Sequence, residues 1–496
     1  MYSTEGTFAH QGEALLARRP AQRGRVGVFG VAHGVYFRQF DGLREKLQGY
    51  YEEFLGLVGQ EEVEVLDYGM VDSVENGREA LEKMRRDDPD ILLCDMVTYA
   101  TSSVFDPIIR GMRVPVILVA LQPLAGLDYG SASTRMQLEN DNICAVPEFT
   151  CAANRLGHKV LDVILGTLYG DPLARAALHE WCVVAGVLRA LKGARIGLMG
   201  HVLESMYDMH VDITSISSAF GVYVPLLEVE EVVELAQDAG QKAICEKRET
   251  IERLFSQPEP GSDPIARRLT EEDLNQAART AVALDRLVER ERLTGLAYYY
   301  EGQAESLVRR TVGSFIVGNS LLIAQGIPMC GEYDLKTCIA MLIMDRMGIG
   351  GSFAELHPFD FREDFILVGH DGPHHIAIAE GKPVLRSLTS YHGKPGSGAS
   401  VEFKIREGPI TLLGITQDAG GQYRMIVAEG ESRHGAIPPT GNTNTRAFFL
   451  PDTRTFVRAW VMACPTHHFA LGVGHHAATL KKIGDALGIE TAIVRP

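Results

Sequence analysis

At 496 residues the chain exceeds the usual reach of a single hydrophobic core, so two or three domains are expected. Hydrophobic residues make up 46% and charged residues 23%, an ordinary globular balance, and apolar runs such as VPVILVAL are too short to span a bilayer. The formal net charge of -16 excludes nonspecific nucleic-acid binding as a natural role, because attraction to phosphates needs clustered Lys and Arg.

Residues 1–23 are polar and Arg/Gly-rich and are expected to form an irregular N-terminal arm, without the apolar stretch of a signal peptide. RVGVFGVAHG then reads as a buried strand entering a Gly-containing loop. VEVLDYG reads as a second strand, and VENGREALEKMRR as a helix with apolar residues on one face. DILLCDMV and VPVILVAL are further continuous apolar runs. Strands buried on both faces and alternating with helices predict a parallel sheet, giving a first α/β domain over 24–180.

A second α/β domain is expected over 181–325. LKGARIGLMG and VYVPLLEV supply its strands, and TGLAYYY a further one. A long amphipathic helix follows a Pro/Gly-rich lead-in, and Thr270 and Asp273 can cap its start in a variant of the capping box. Over 326–496 the character changes. IPMCGE reads as a short strand before the helix DLKTCIAMLIMDRMG. GGSFAELHPFDF reads as a Gly- and aromatic-rich loop. SVEFKIREGPITLLGITQD and YRMIVAEGES alternate apolar and polar residues, as in an antiparallel sheet or barrel. TFVRAWVMACPTHHFALGVGHHAATLKKIGDALG reads as helix, loop, helix. The expected class is therefore two doubly wound α/β domains followed by a C-terminal domain with a barrel-like antiparallel sheet and flanking helices. Eight dispersed cysteines with no CxxC spacing point to a reduced, cytoplasmic compartment.

Histidine is unevenly placed. Ten of sixteen lie after residue 356: His357, His370, His374, His375, His392, His434, His467, His468, His475 and His476. An isolated His is usually structural. The clustering favours a site for the group without choosing among its members. Two carboxylates stand near them. Glu332 follows a predicted strand at its C-terminal end, where α/β sheets open their ligand crevices, and Glu355 lies in the GGSFAELHPFDF segment. A Glu, Glu, His, His set offers mixed oxygen and nitrogen ligands. That suits Mn²⁺, Co²⁺ or Mg²⁺ in an open site better than a closed structural zinc site. There is no GxGxxG, no P-loop and no GxSxG elbow. The pair at 475–476 offers a second metal site, but beside a helical pattern it reads first as helix surface or an end cap.

These segments resemble the L-arabinose isomerase family. GIPMCGEYDLKTCIAMLI is similar to its Gly–Glu–Gly–Asp–x–Lys–Thr–Ala pattern, GGSFAELHPFDF to its Gly-rich segment ending in Met–Glu–Asp, and FILVGHDGPH to its Leu–Gly–x–His stretch. RAWVMACPTHHFALG resembles its Ala–Trp–Ile–x–x–Gly–Gly–Ala–His–His–Thr segment. The resemblance implies that Glu332, Glu355, His370 and His468 hold a divalent metal, Mn²⁺ first and Co²⁺ or Mg²⁺ as alternatives. It places His467 and Met206 at the sugar. It implies aldose–ketose isomerisation, a proton passing between C2 and C1 of an open-chain sugar, with Glu332 and Glu355 as the catalytic carboxylates. It also implies a homo-oligomer, hexamer or tetramer, with shared active sites and no nucleic-acid or membrane partner. The chain departs from the family at Val31 and Ala32, where the family has Gln, at Cys144 in place of a His, near Thr101 in place of an aromatic, and at Leu356–Asp360 after the second Glu. The metal set is kept and the pocket wall differs. Other readings are a sugar-binding relative without turnover, or an epimerase or aldolase using the same ene-diolate chemistry.

Overall fold

The computed structural model describes residues 7–10, 13–203, 206–259, 265–303, 306–391 and 394–495. The chain divides into two compact units. The smaller comprises Gln22–Ala190 with Asp485–Gly488, and the larger Met1–Ala21, Leu191–Gly484 and Ile489–Pro496.

The smaller unit is built on a five-stranded parallel sheet. Its spatial order is Val63–Val71, Gly24–Val31, Ile91–Asp95, Val116–Gln122, Val160–Thr167. The central strands are nearly continuous β-branched and leucine runs because helices cover both faces, and ILLCD is buried at every position. The edge strand Val63–Val71 is only partly buried, with Val63, Tyr68 and Val71 turned inward. Ser73 caps the helix Val74–Asp87 by accepting from the Asn76 backbone N–H, as a Ser at that position should.

The larger unit contains a second parallel sheet, in the order Met329–Cys330, Gly295–Tyr299, Ile196–Gly200, Leu226–Leu227. The same unit contains the helix Glu271–Glu291, which packs on the helices Val229–Gln237 and Gln241–Leu254. Thr270 and Asp273 form the expected reciprocal capping box. Its inner face packs on the helix Phe315–Ala324 at Gly318. A Cβ there would approach the Ala281 Cα to 2.8 Å, so only glycine allows the two backbones this close. Leu307–Ala324 is long and apolar enough to cross a bilayer, yet 67% of it is buried within the protein, as a core helix would be.

The rest of the larger unit carries a closed six-stranded antiparallel barrel. Its strands run Gly408–Gln417, Phe469–Val473, Gly350–Asp360, Phe365–His370, Thr443–Phe448 and Tyr423–Arg433, and the last pairs back with the first. Glu490–Ile493 adds in parallel outside the ring. The expected class, parallel α/β sheets with a barrel-like C-terminal domain, therefore holds. Val368, Leu412, Ile426, Ala447 and Leu471 are among the residues of its buried core. The helix Leu335–Arg346 is buried from Leu335 to Asp345, which is why its sequence lacks a polar face.

Three local expectations change. Gly350–Asp360 is not a loop: it is a barrel strand paired on both sides. Its glycines and Pro358 obscured the pattern, and Pro358 sits where the pairing register shifts between Leu356 and Phe359, a place a strand tolerates proline. The final segment is helix, strand, helix, with Phe469–Val473 inserted in the barrel. Within the leading arm, Thr7–His10 and Glu13–Ala17 form an antiparallel ribbon. Arg18 follows it and enters the core, donating to Asp345 at 2.7 Å.

Candidate metal centre

Four chain segments of the larger unit bring the predicted ligands together. Glu332 stands just after the strand Met329–Cys330. It and Tyr333 both adopt left-handed backbone, φ 56° and 64°. Two consecutive non-glycine residues there cost of order 1–3 kcal/mol each, a strain held by the surrounding fold and typical of functional turns. Glu355 projects from the barrel strand Gly350–Asp360, His370 ends the strand Phe365–His370, and His468 immediately precedes Phe469–Val473.

The atoms converge. His370 Nε2 lies 3.2 Å from His468 Nε2. Glu355 Oε1 is 3.7 Å from His370 Nε2, and Glu332 Oε2 is 3.5 Å from His468 Nε2. Glu355, His370 and His468 can each place a ligand atom within 4.8 Å of the others, and so can Glu332, His467 and His468. The two groups share His468.

The outer atoms of both imidazoles are fixed. His370 Nδ1 donates to the Asp371 carbonyl oxygen at 2.7 Å, and His468 Nδ1 donates to Asp334 Oδ2 at 3.2 Å. A proton committed to Nδ1 leaves Nε2 with its lone pair facing the centre, the arrangement by which proteins orient metal-binding histidines. Asp334 is itself locked as N-cap of Leu335–Arg346, accepting from the Thr337 N–H and hydroxyl. Burial disfavours its charge, but His468, the Thr337 N–H and the nearby Lys336 ammonium together hold its carboxyl below the usual range. Phe353 walls the centre, its ring centroid 4.3 Å from that of His370 and 4.5 Å from that of His468.

The electrostatics call for positive charge. Burial works against a charge on His370, yet Asp371, Glu332 and Glu355 prevail and lift its imidazole to about 9. Glu332 Oε2 is buried without a hydrogen-bond partner. Buried carboxylate oxygen with no donor is costly. A cation among the four groups would satisfy that oxygen and both facing lone pairs, so the residues present fit a divalent metal with mixed oxygen and nitrogen ligands.

His467 stands apart from the other two imidazoles' partners. Its ring lies tilted against His468, the centroids 3.8 Å apart, and its backbone N–H and Nδ1 both bond Asp208 Oδ2, at 2.9 and 2.6 Å. This bond holds the Asp208 carboxyl far below the usual range. For His467, burial opposes the charge, but Asp208 wins and raises its pKa. Asp208 was not anticipated from sequence, and only its neighbour Met206 had been singled out. Met206 opens the short 3₁₀ turn Tyr207–Met209 that carries Asp208 to His467. Ser205 lies outside the described residues, as does His392.

Among the described residues, the other C-terminal histidines fall outside the group of ligand atoms around His370 and His468. His357 Nε2 is 3.9 Å from Glu355 Oε1, at its margin. His374 bridges the Ser352 hydroxyl and the His370 carbonyl, and burial drives its pKa down to about 3, so it acts as a neutral prop. His375 reaches Asp345, the carboxylate that also holds Arg18 and Arg346. His475 bonds the Gly430 carbonyl and the His476 N–H bonds Thr411 Oγ1, at the start of Ala477–Leu487. His434 lies on the surface against Glu407.

Two carboxylates and two oriented imidazoles of the larger unit thus converge on one candidate cation site. Residues 350–490 match the L-arabinose isomerase C-terminal domain. An L-arabinose isomerase from a Nocardioides species is 24% identical over 413 residues, covering 80% of this chain and 79% of its own length. A sulfoquinovose isomerase from Priestia aryabhattai is 21% identical over 431 residues, covering 86% and 90%. An L-arabinose isomerase from Klebsiella pneumoniae is 27% identical over 183 residues, covering 35% and 36%. The chain is thus similar to sugar isomerases, with the C-terminal domain of L-arabinose isomerase matched over residues 350–490.

Proposed function

We propose that this chain is an aldose–ketose isomerase acting on an open-chain sugar, with Glu332, Glu355, His370 and His468 as ligands of a divalent metal, Mn²⁺ first. The single observation that carries the reading is the convergence of these four groups around the His370–His468 pair. When bound, the cation supplies Lewis-acid stabilisation of the negative charge that develops on the sugar's O1 and O2.

The chain's own groups do the proton work. One of Glu332 and Glu355 takes the C2 proton and returns it to C1 on the same face, while the other moves the hydroxyl proton between O2 and O1. General acid–base help of this kind is worth about 10²–10⁴-fold. His467, whose charged form Asp208 favours, offers a ring N–H to a sugar hydroxyl. Asp334 and the Asp371 carbonyl keep the two imidazoles aimed inward. A homo-oligomer, tetramer or hexamer, is part of the same proposal on the strength of the motif resemblance, and a cytoplasmic location on that of the dispersed cysteines.

The departures at Val31, Ala32, Cys144 and Thr101 favour a sugar other than L-arabinose. The deciding experiment is an aldose panel including L-arabinose and a sulfonated hexose, assayed with Mn²⁺ and scored for ketose. NMR in D₂O separates isomerisation from epimerisation or aldol cleavage. A protein that binds Mn²⁺ and sugar but yields no product is a binding relative, and the isomerase reading then falls.

A further inference from the structure

Two adjacent histidines, His467 and His468, are each held by a carboxylate from elsewhere in the larger unit. Both lines of support lead back to one helical turn. Asp334, the N-cap, holds His468. Two residues on, Lys336 is 2% exposed, and its Nζ donates to the carbonyl oxygens of Asp208 and His210. Asp208 in turn holds His467.

The proton transfers described above leave Lys336 without a task, and its position is unfavourable on two counts. An ammonium loses its hydration on burial. In the first turn of a helix it also faces the positive end of the helix dipole. An apolar side chain of the same length would fill the space without either cost. What the ammonium adds is a grip on the 207–210 turn. Tyr207, Asp208 and His210 are exposed there, and a single turn of 3₁₀ helix has little regular structure of its own to fix its place.

We propose that Lys336 is a positioning residue that clamps the 207–210 turn through two backbone carbonyls, so that Asp208 meets His467 and sets that ring for the sugar. One turn of helix thus governs both histidines, Asp334 on the metal side and Lys336 on the sugar side. The sugar arm rests on the isomerase reading; the clamp itself does not.

The test uses full-length Lys336→Met, Asp208→Ala and the double variant. Hydrogen exchange of the peptide covering 207–210 should quicken about tenfold or more in Lys336→Met, with little change in the rest of the protein. Mn²⁺ affinity, measured by titration without sugar, should stay within about threefold, because the four ligands and Asp334 are untouched. KM for the best aldose should rise about tenfold with kcat nearly unchanged, and Asp208→Ala should match it. The double variant should be no worse than either single one, as expected of residues acting through one contact. Unchanged exchange at 207–210, or Mn²⁺ affinity falling in step with KM, overturns the clamp. If the wild type forms no ketose while Lys336→Met still loosens 207–210, the isomerase reading falls and the clamp stands. Should Lys336→Met not fold, Asp208→Ala, on an exposed turn, must reproduce the KM increase with Mn²⁺ affinity retained, and failure to do so overturns the proposal.

Discussion

His370 and His468 point their Nε2 atoms at each other across 3.2 Å, while each commits its Nδ1 proton to a separate acceptor. Two bare lone pairs at that distance repel, so something positive belongs between the rings. A proton and a metal ion compete for the same place. Because His370 holds its proton up to about 9, apparent Mn²⁺ affinity should climb roughly tenfold per pH unit from pH 6.5 and level off near pH 9. Calorimetric titration across that range gives the slope, and an affinity independent of pH would contradict the field described here.

The same shift sets the stability of chelated protein. The folded pKa of His370 lies above its unfolded value, so the stabilisation is complete below about pH 6.5 and is lost as pH rises through about 9. Thermal melts of EDTA-treated protein should therefore fall in Tm between pH 6.5 and 9. Saturating Mn²⁺ should flatten the trend, since the ion replaces the proton.

Glu332→Gln should abolish ketose formation while leaving the circular dichroism spectrum intact. The amide keeps the volume in the strained turn but loses the negative charge and the basic oxygen. On the acid–base contribution alone the loss is about 10²–10⁴-fold. Wild-type turnover in this variant would remove Glu332 from the chemistry.

Asp334→Asn should weaken Mn²⁺ binding about 10–100-fold, as loss of an outer carboxylate partner does elsewhere. The Asn can still cap Leu335–Arg346, so the helix should persist. Equal metal affinity in the variant would mean that His468 needs no help in orientation.

Arg18→Ala should cost about 3 kcal/mol of stability, because it strips one partner from a buried carboxylate. Asp345 retains Arg346 and His375, which is why the figure falls at the low end. Urea melts at one pH measure this directly, and no change would show that Arg346 alone suffices.

Much of this was legible in the chain. The buried strands of the smaller unit declared themselves as unbroken apolar runs, and the Thr270–Asp273 cap as a local motif. Composition showed only a His-rich C-terminal third, and it was the resemblance of its segments to a known family that pointed to Glu332, Glu355, His370 and His468. Nothing pointed to Asp208, because its link to His467 spans 259 residues and leaves no local pattern. Asp334 and Lys336 were visible only as the start of a helix; their second duties depend on what the fold sets beside them. The strand nature of Gly350–Asp360 was hidden for a related reason. Pairing with two neighbours overrides the weak propensity of a Gly- and Pro-punctuated segment.

The Arg18–Asp345 ion pair joins residues 327 positions apart. During synthesis the N-terminal ribbon leaves the ribosome long before its partner exists. At about 5–20 residues per second the wait is roughly 15–65 seconds. The whole segment Gln22–Ala190 can emerge and fold in that interval. The ribbon is thus made long before it can be seated, and the Arg18 guanidinium cannot take its final partner until the helix Leu335–Arg346 has been made.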